Sequence, residues 1–359
     1  MKALRWHARG DVRVDDVPMP HPGDHDVLLK VEYSGICGSE VHEYVAGPIF
    51  IPLEPHPLTG RCAPQILGHE FGGRVVSVGS AVLDLQAGDL ITVDPIVACG
   101  VCNTCRRGRS NLCEKLAYYG AIGDGGHAEY AVVHAANAVK LPANIPTELV
   151  AFAEPAGVAF HAVNQAGVQP GSTVVVLGGG PIGQLVVQYA RLAGAARVFL
   201  TEIAPARIAC ARSIGVVDEV FNPVETDVVA AVLDLTRGEG ADHVIECSGG
   251  SRTGMLADTA AQAIELTRPE GVTAIVGTFA GVTEIHFNTV VIMERRIVGS
   301  WVWHSHSEYQ RAMEMVILGK IQVRPLISRT VTIDRAVPDG IQELQFNKDS
   351  QMKILVDLR

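Results

Sequence analysis

The 359-residue chain predicts an α/β protein of two domains, one β-rich and one a doubly wound parallel sheet. Three observations carry that prediction. At roughly 150 residues per domain the length accommodates two hydrophobic cores. From residue 1 to about residue 153, short β-like runs alternate with turn residues. From Gly171 onward strand-like and helix-like segments alternate, the pattern of a parallel sheet covered by helices on both faces.

Taken in order, the first region offers the strands VLLKVEY, GGRVVSVG, DLITVD and AEYAVV, separated by long loops. The second runs TVVVLG, GQLVVQYARLAG, RVFLTE, PARIACARSIG, EVFNP, DVVAAVLDLTR, HVIECSG, LADTAAQAIEL, VTAIVGT and RIVGSW. A helix, EYQRAMEMVILGK, follows Trp301, and the closing strand QMKILVDL is expected to return to the first region. No internal repeat or low-complexity linker interrupts the chain.

Composition narrows the function. Hydrophobic residues make up 48% and charged residues 19%, which excludes a disordered chain, and the 37 glycines show no Gly-X-Y period. Lys plus Arg number 29 against 39 Asp plus Glu, with no basic run, so nucleic acid is excluded as a partner. The N-terminal MKALRWHARGDVRVDD lacks an apolar core for a secretory signal, which points to the cytoplasm. Pro155 to Ala190 contains no charged residue, but Asn164, Gln165, Gln169, Pro170, Pro181 and a glycine cluster break it before about 20 apolar residues accumulate. It reads as buried interior, not as a membrane span.

Gly178, Gly180 and Gly183, with Pro181 and Ile182 between them, form GxGxxG between a β-branched strand and an amphipathic helix. Glycines there permit a tight turn and close approach of a pyrophosphate, and the helix that follows offers unpaired N–H groups and a positive dipole end. The next strand ends at Glu202, placed to accept hydrogen bonds from both adenosine ribose hydroxyls and to repel a 2'-phosphate, so NAD is favoured over NADP. Arg207 packs against the adenine or is a solvated helix residue. The competing reading is a glycine turn that binds no nucleotide.

Cys99, Cys102, Cys105 and Cys113 give C-x2-C-x2-C-x7-C, a spacing that closes a tetrahedron round one zinc. An iron-sulfur cluster fits less well, because the ferredoxin run has three residues before its last cysteine and a proline after it. With no open coordination position this site is structural. Cys37, His69, Glu70 and Glu154 are each weak signals alone, since a lone cysteine or histidine is usually a core residue. Together they form the mixed sulfur, nitrogen and oxygen set of a catalytic zinc. Cys62, Cys210 and Cys247 have no such company and read as structural.

In their order along the chain, GHEFGGRVVSVG, the four-cysteine lobe, AEPAG and GGGPIG resemble the zinc-dependent medium-chain dehydrogenases over essentially the whole length. The resemblance implies a GroES-like catalytic domain of residues 1–156 and 303–359, with a structural zinc lobe at about 95–115, and a Rossmann NAD-binding domain of residues 157–302. It implies two zincs per chain and a catalytic zinc on Cys37, His69 and Glu154, with Glu70 beside it as an exchangeable ligand or neighbour. Which glutamate is bound at rest stays open. It also implies a proton relay through Ser39 and His42, cofactor contacts at Val276 and Gly277, a small alcohol or ketone substrate, and a homodimer or homotetramer.

Within the family, His42 to Gly60 resembles a loop of the (R,R)-2,3-butanediol dehydrogenases that polyol dehydrogenases usually lack. Its Pro48, Ile49, Phe50, Ile51 and Pro52 are expected to form an apolar wall near the zinc, suited to a small vicinal diol. AEPAG and the aromatic, His-rich WVWHSH depart from the usual pattern. Two other readings remain: a sibling enzyme acting on sorbitol-like polyols or threonine, and a non-catalytic NAD-binding protein on the same fold.

Overall fold

In the computed structural model, which describes residues 1–249, 258–279 and 281–359, the chain divides into two compact units. The first comprises Met1–Glu154, His304–Ile317 and Ile327–Arg359; the second comprises Pro155–Trp303 and Leu318–Leu326. Leu256 and Ala257, which open the expected helical run LADTAAQAIEL, lie outside the described residues.

The first unit is built on antiparallel strands. β1 (Lys2–Ala8) and β2 (Asp11–Asp16) form a hairpin. β3 (Asp26–Ile36) runs into helix α1 (Gly38–Ala46), and a long loop then leads to β4 (Gln65–Ile66), which pairs with β1, and to β5 (Glu70–Val78). β6 (Leu90–Val93) follows, then the lobe flanked by β7 (Ile96–Val97) and β8 (Ala117–Tyr118), with the single helical turn α2 (Asn103–Arg106) inside it. β9 (Tyr130–His134) and β10 (Ala138–Lys140) complete this stretch, and α3 (Ala153–Ala166) begins where the first unit gives way to the second.

The second unit is a six-stranded sheet. In chain order its elements are β11 (Thr173–Leu177), α4 (Pro181–Leu192), β12 (Arg197–Thr201), α5 (Pro205–Ile214), β13 (Glu219–Phe221), α6 (Val228–Leu235), β14 (Ala241–Glu246), α7 (Thr259–Leu266), β15 (Thr267–Ile275), α8 (Phe287–Ile292) and β16 (Arg296–Gly299). All neighbouring strands are parallel, in the order β13-β12-β11-β14-β15-β16. The order reverses between β11 and β14, the switch point beyond whose strand ends dinucleotides bind. β11 is buried at every position, which is why it reads as an unbroken apolar run rather than an alternating one. The helices start and stop on local signals: Asp227 caps α6 by accepting from the Ala230 amide, and α5 opens on Pro205 and closes on Gly215. Leu318–Leu326 joins this unit through Gln188, whose amide group donates to the Gln322 carbonyl at 3.1 Å and accepts from its N–H at 2.6 Å.

The chain then returns to the first unit through α9 (His306–Ile317), β17 (Ile327–Thr332), α10 (Gln342–Phe346) and β18 (Lys353–Asp357). β18 pairs antiparallel with β3 and parallel with β17, giving the main sheet the order β10-β6-β5-β3-β18-β17, with β9 also on β3. Leu29, Val31, Phe71, Ile91, Val133, Ile354 and Val356 meet in its core. That register places the first residues of β5 and β18 on either side of the end of β3.

Candidate functional site

Cys37 stands between β3 and α1, His69 immediately before β5, and Glu70 is the first residue of β5. Their ligand atoms lie within 4.8 Å of one another. Burial pulls the His69 imidazole down, but Cys37 and the surrounding glutamates outweigh it and push the group up to about 10. Glu154, buried in the first turn of α3, is raised to about 7, first by burial and then by Glu70 against the opposing effects of His69 and Lys353. Negative charge is thus concentrated in a buried space, and His69 Nδ1 there has no hydrogen-bond partner. A cysteine sulfur, an imidazole nitrogen and carboxylates around an unsatisfied ring atom fit a zinc ion.

Three buried side chains that sequence reasoning missed hold this cluster. Lys353, at the start of β18, donates to both Glu70 oxygens at 2.7 Å and to the Ile36 carbonyl at 3.2 Å. Burial lowers its pKa, yet Glu70 and Cys37 raise it above the ordinary lysine value. Glu40 accepts from the Cys37 amide and the Gly68 amide, each at 2.8 Å, and pairs with His127 at 3.2 Å. Burial would raise the Glu40 carboxyl, but His127 and His69 bring it down to about 2. One carboxylate therefore joins the Cys37 segment to the His69 segment. The Tyr118 ring stands edge-on to His69, with centroids 5.9 Å apart.

The four lobe cysteines also gather their sulfurs within 4.8 Å. The Cys99 and Lys115 amides each donate to Cys113 Sγ at 3.3 Å, and the Cys102 amide donates to Cys99 Sγ at 3.4 Å. The Thr104 hydroxyl, then backbone amides, draw Cys102 down to about 5, while burial and the Cys102 sulfur push Cys105 up to about 12. Four thiols so close cannot ionise together without a cation between them, and a zinc ion bound there would supply it. Ser110 donates its amide and hydroxyl to the His304 carbonyl at 3.3 and 2.9 Å, and His306 Nδ1 meets Asp94 at 2.9 Å. Two histidines of WVWHSH thereby fasten α9 to the lobe and to the turn after β6.

In the second unit the glycine turn joins β11 to α4 at the switch point. Gly178 has a φ of 96°, and a Cβ on Gly183 would strike the Gly178 carbonyl, so both positions require glycine. Glu202 accepts from the Gly179 amide at 2.9 Å and from the Ile203 and Ala204 amides at 2.7 and 2.9 Å. Arg207 approaches the same carboxylate at 3.8 Å. Gln184, also missed from sequence, donates to the Gly179 and Arg207 carbonyls at 3.0 Å and binds the turn to α5. The Val276 and Gly277 amides donate to the Glu246 carbonyl at 2.9 and 3.1 Å, just beyond the end of β15.

The family profile described as "Zinc-binding dehydrogenase" matches residues 181–317, and the one described as "Alcohol dehydrogenase GroES-like domain" matches residues 23–143. Over 358 residues, 99% of both chains, the sequence is 36% identical to (R,R)-butanediol dehydrogenase of Bacillus subtilis. The chain belongs to the zinc-dependent medium-chain dehydrogenases. This dehydrogenase superposes on the crystal structure of 2R,3R-butanediol dehydrogenase from Bacillus subtilis with a TM-score of 0.89 at 35% identity, covering 99% of each chain. It is also 35% identical over 341 residues to sorbitol dehydrogenase of Halalkalibacterium halodurans, 93% of both chains. A zinc-binding dehydrogenase of Sinorhizobium meliloti 1021, solved bound to NADP, matches at TM-score 0.87 and 36% identity over 99% of this chain and 98% of that one. The dehydrogenase is accordingly an oxidoreductase of a zinc-binding family, with a GroES-like and a Rossmann domain.

Two expectations about the site take a more specific form in the structure. Ser39 and His42 both lie on α1, three residues apart and so on one face of the helix that starts beside Cys37. Of the expected apolar wall, Ile51 belongs to the core of the first unit, Pro48 and Ile49 are exposed, and Phe50 stands edge-on to Tyr118 at 6.0 Å.

Proposed function

We propose that this dehydrogenase interconverts a small vicinal diol and its α-hydroxyketone, (R,R)-2,3-butanediol and acetoin, with NAD. Cys37, His69 and Glu70 would hold the catalytic zinc, because their ligand atoms already converge, and Glu154, which interacts with both His69 and Glu70, would supply a second carboxylate. Zinc bound there acts as a Lewis acid, lowering the pKa of a bound hydroxyl by several units. Ser39 and His42 on α1 would carry the hydroxyl proton away, and a bound nicotinamide would supply the acceptor for the carbinol hydride. Gly178, Gly180 and Gly183 receive the pyrophosphate, and Glu202 the ribose hydroxyls. The Glu202 carboxylate, held rigid by three backbone amides, favours NAD by repelling a 2'-phosphate.

The observation that carries the substrate reading is the aromatic series Phe50, Tyr118 and His69, each ring edge-on to the next. It covers one side of the cluster with apolar surface. A polyol chain against it leaves hydroxyls unpaired, at about 1–3 kcal/mol each. Similar identities to butanediol and sorbitol dehydrogenases mean that kinetics must decide. The reading expects kcat/KM to be highest for (R,R)-2,3-butanediol among that diol, sorbitol, threonine and an aryl alcohol. Preference for any of the other three would refute it.

The same reading includes self-association and a cytoplasmic location. β16 is an edge strand, and the neighbouring Phe287, Val291 and Ile292 are 65%, 72% and 74% exposed, which favours a dimer formed through this edge. Sedimentation should show at least a dimer; a lone 38.2 kDa species at micromolar concentration would contradict it. Among the described residues no helix is long and apolar enough to cross a membrane. Thiols gathered for metal rather than bridged suit a reducing compartment, and cell fractionation tests that location.

A further inference from the structure

Glu43 lies on α1, six residues beyond Cys37, and belongs neither to the four-cysteine lobe nor to the Cys37, His69 and Glu70 cluster. It is only 2% exposed. Its carboxylate accepts from the Ile49 amide at 3.1 and 3.0 Å, from the Phe50 amide, and from the Ile51 amide at 3.1 Å. Three consecutive N–H groups converging on one point form an anion-binding concavity, and the chain fills it with its own side chain. Each bond is charge-assisted and about twice as strong as a neutral one.

The backbone of Glu43 is fixed as well. Its carbonyl accepts from Trp6 Nε1 at 3.0 Å and from the Gly47 amide at 2.9 Å. A Cβ on Gly47 would collide with that carbonyl and with the carboxylate, so glycine is required where the loop turns back over α1. Beyond the turn, Ile51 enters the core and Phe50 meets Tyr118, which in turn meets His69. The position of Phe50 is therefore set by a side chain that reaches no zinc ligand.

We propose that Glu43 is the positioning residue that limits the bulk of the alcohol accepted, by clasping the Ile49–Ile51 amides so that Phe50 stays against Tyr118 beside His69. This rests on the reading of Cys37, His69 and Glu70 as the alcohol site. A small alcohol gains contact with a fixed ring, and a bulky one meets it as an obstacle. Glu43→Gln exchanges one accepting oxygen for an NH2 that cannot accept, which loosens the clasp and frees the ring.

The test compares Glu43→Gln and Phe50→Ala with the unaltered enzyme on (R,R)-2,3-butanediol and 1-phenylethanol. Both variants should lower the ratio of kcat/KM for the diol over the aryl alcohol by roughly tenfold or more, chiefly through KM. Glu43→Gln alone should also speed proteolysis within residues 47–62, and both variants should keep their zinc. An unchanged ratio overturns the proposal even if the loop is cut faster, because Glu43 would then be merely structural. Equal loss of kcat on both alcohols also overturns it, since that would be an effect on the zinc. Should Glu43→Gln fail to fold, an unchanged ratio in Phe50→Ala still overturns it. If the unaltered enzyme prefers sorbitol, the diol reading fails, while the Glu43 proposal is read from the ratio of sorbitol to the aryl alcohol.

Discussion

The four-cysteine lobe and the Cys37, His69 and Glu70 cluster are built in opposite ways. The lobe draws all four cysteines from residues 99 to 113 and orients their sulfurs with amides of the same segment. The Cys37, His69 and Glu70 cluster takes its members from strand ends and holds them with Lys353 and His127, which are distant in sequence, and with Glu40, which ties the nearby Cys37 amide to the remote Gly68 amide. A closed site can be written locally, because four ligands saturate the metal and nothing else need approach. An open site must leave one position free, so other parts of the sheet must supply the rigidity that a fourth ligand would give.

The largest effect should come from breaking that support. Lys353→Met leaves Glu70 buried without its cation and should cost about 3–5 kcal/mol in denaturant unfolding, with loss of one zinc. Adding Glu70→Gln removes the stranded charge and should restore most of the stability without restoring activity. If Lys353→Met costs less than about 1 kcal/mol, the pair does not organise the site.

Cutting the lobe should cost less. Cys102→Ser removes a lobe ligand and should release one zinc for about 2–3 kcal/mol of stability, with new protease cuts confined to residues 95–116. Cuts spread over the first unit would show that the lobe is not a local module.

The same contrast explains what was legible in the sequence. The four-cysteine spacing, GGGPIG and Glu202 lie on single segments whose chemistry depends on short spacing, and the parallel sheet announces itself by alternation. Lys353 was invisible, because only the pairing of β18 with β3 brings it to Glu70, 283 positions away. No spacing signal singles out Glu40 or Glu43, since α1 is a nine-residue helix within a region that otherwise reads as strands. His127, just before the strand-like run AEYAVV, belongs to no motif that could single it out. The apolar run from Pro48 to Pro52 was read as a wall, but the carboxylate that shapes it sends Ile51 inward and leaves only Phe50 against Tyr118.

Two smaller effects extend the comparison to the second unit. Glu202→Ala should narrow the preference for NAD over NADP by roughly tenfold, about 1.4 kcal/mol, measured as the ratio of kcat/KM. An unchanged ratio would remove the carboxylate from cofactor choice. Asp242 is the weak counterpart of Glu70. Burial raises its carboxyl, but the Thr173 amide at 2.7 Å and Arg268 at 2.7 Å bring it below the ordinary value. A depressed carboxyl stabilises above its unfolded value of about 3.9 and loses that contribution as pH falls through the folded value. Asp242→Asn should therefore cost well under 1 kcal/mol at pH 6, since the pair is solvent-screened, and progressively less as pH falls below the unfolded value of about 3.9. A cost that grows on acidification would reverse the sign.

The most direct test of the central contrast is the time course of zinc release to a chelator, followed together with activity and Tm. The account predicts two zincs per chain in two kinetic phases. The first carries away all activity with little change in Tm, and the second coincides with loss of the lobe's protease resistance. Release of both zincs in one phase, or a fast phase that leaves activity intact, would contradict the assignment of an open catalytic site and a closed structural one.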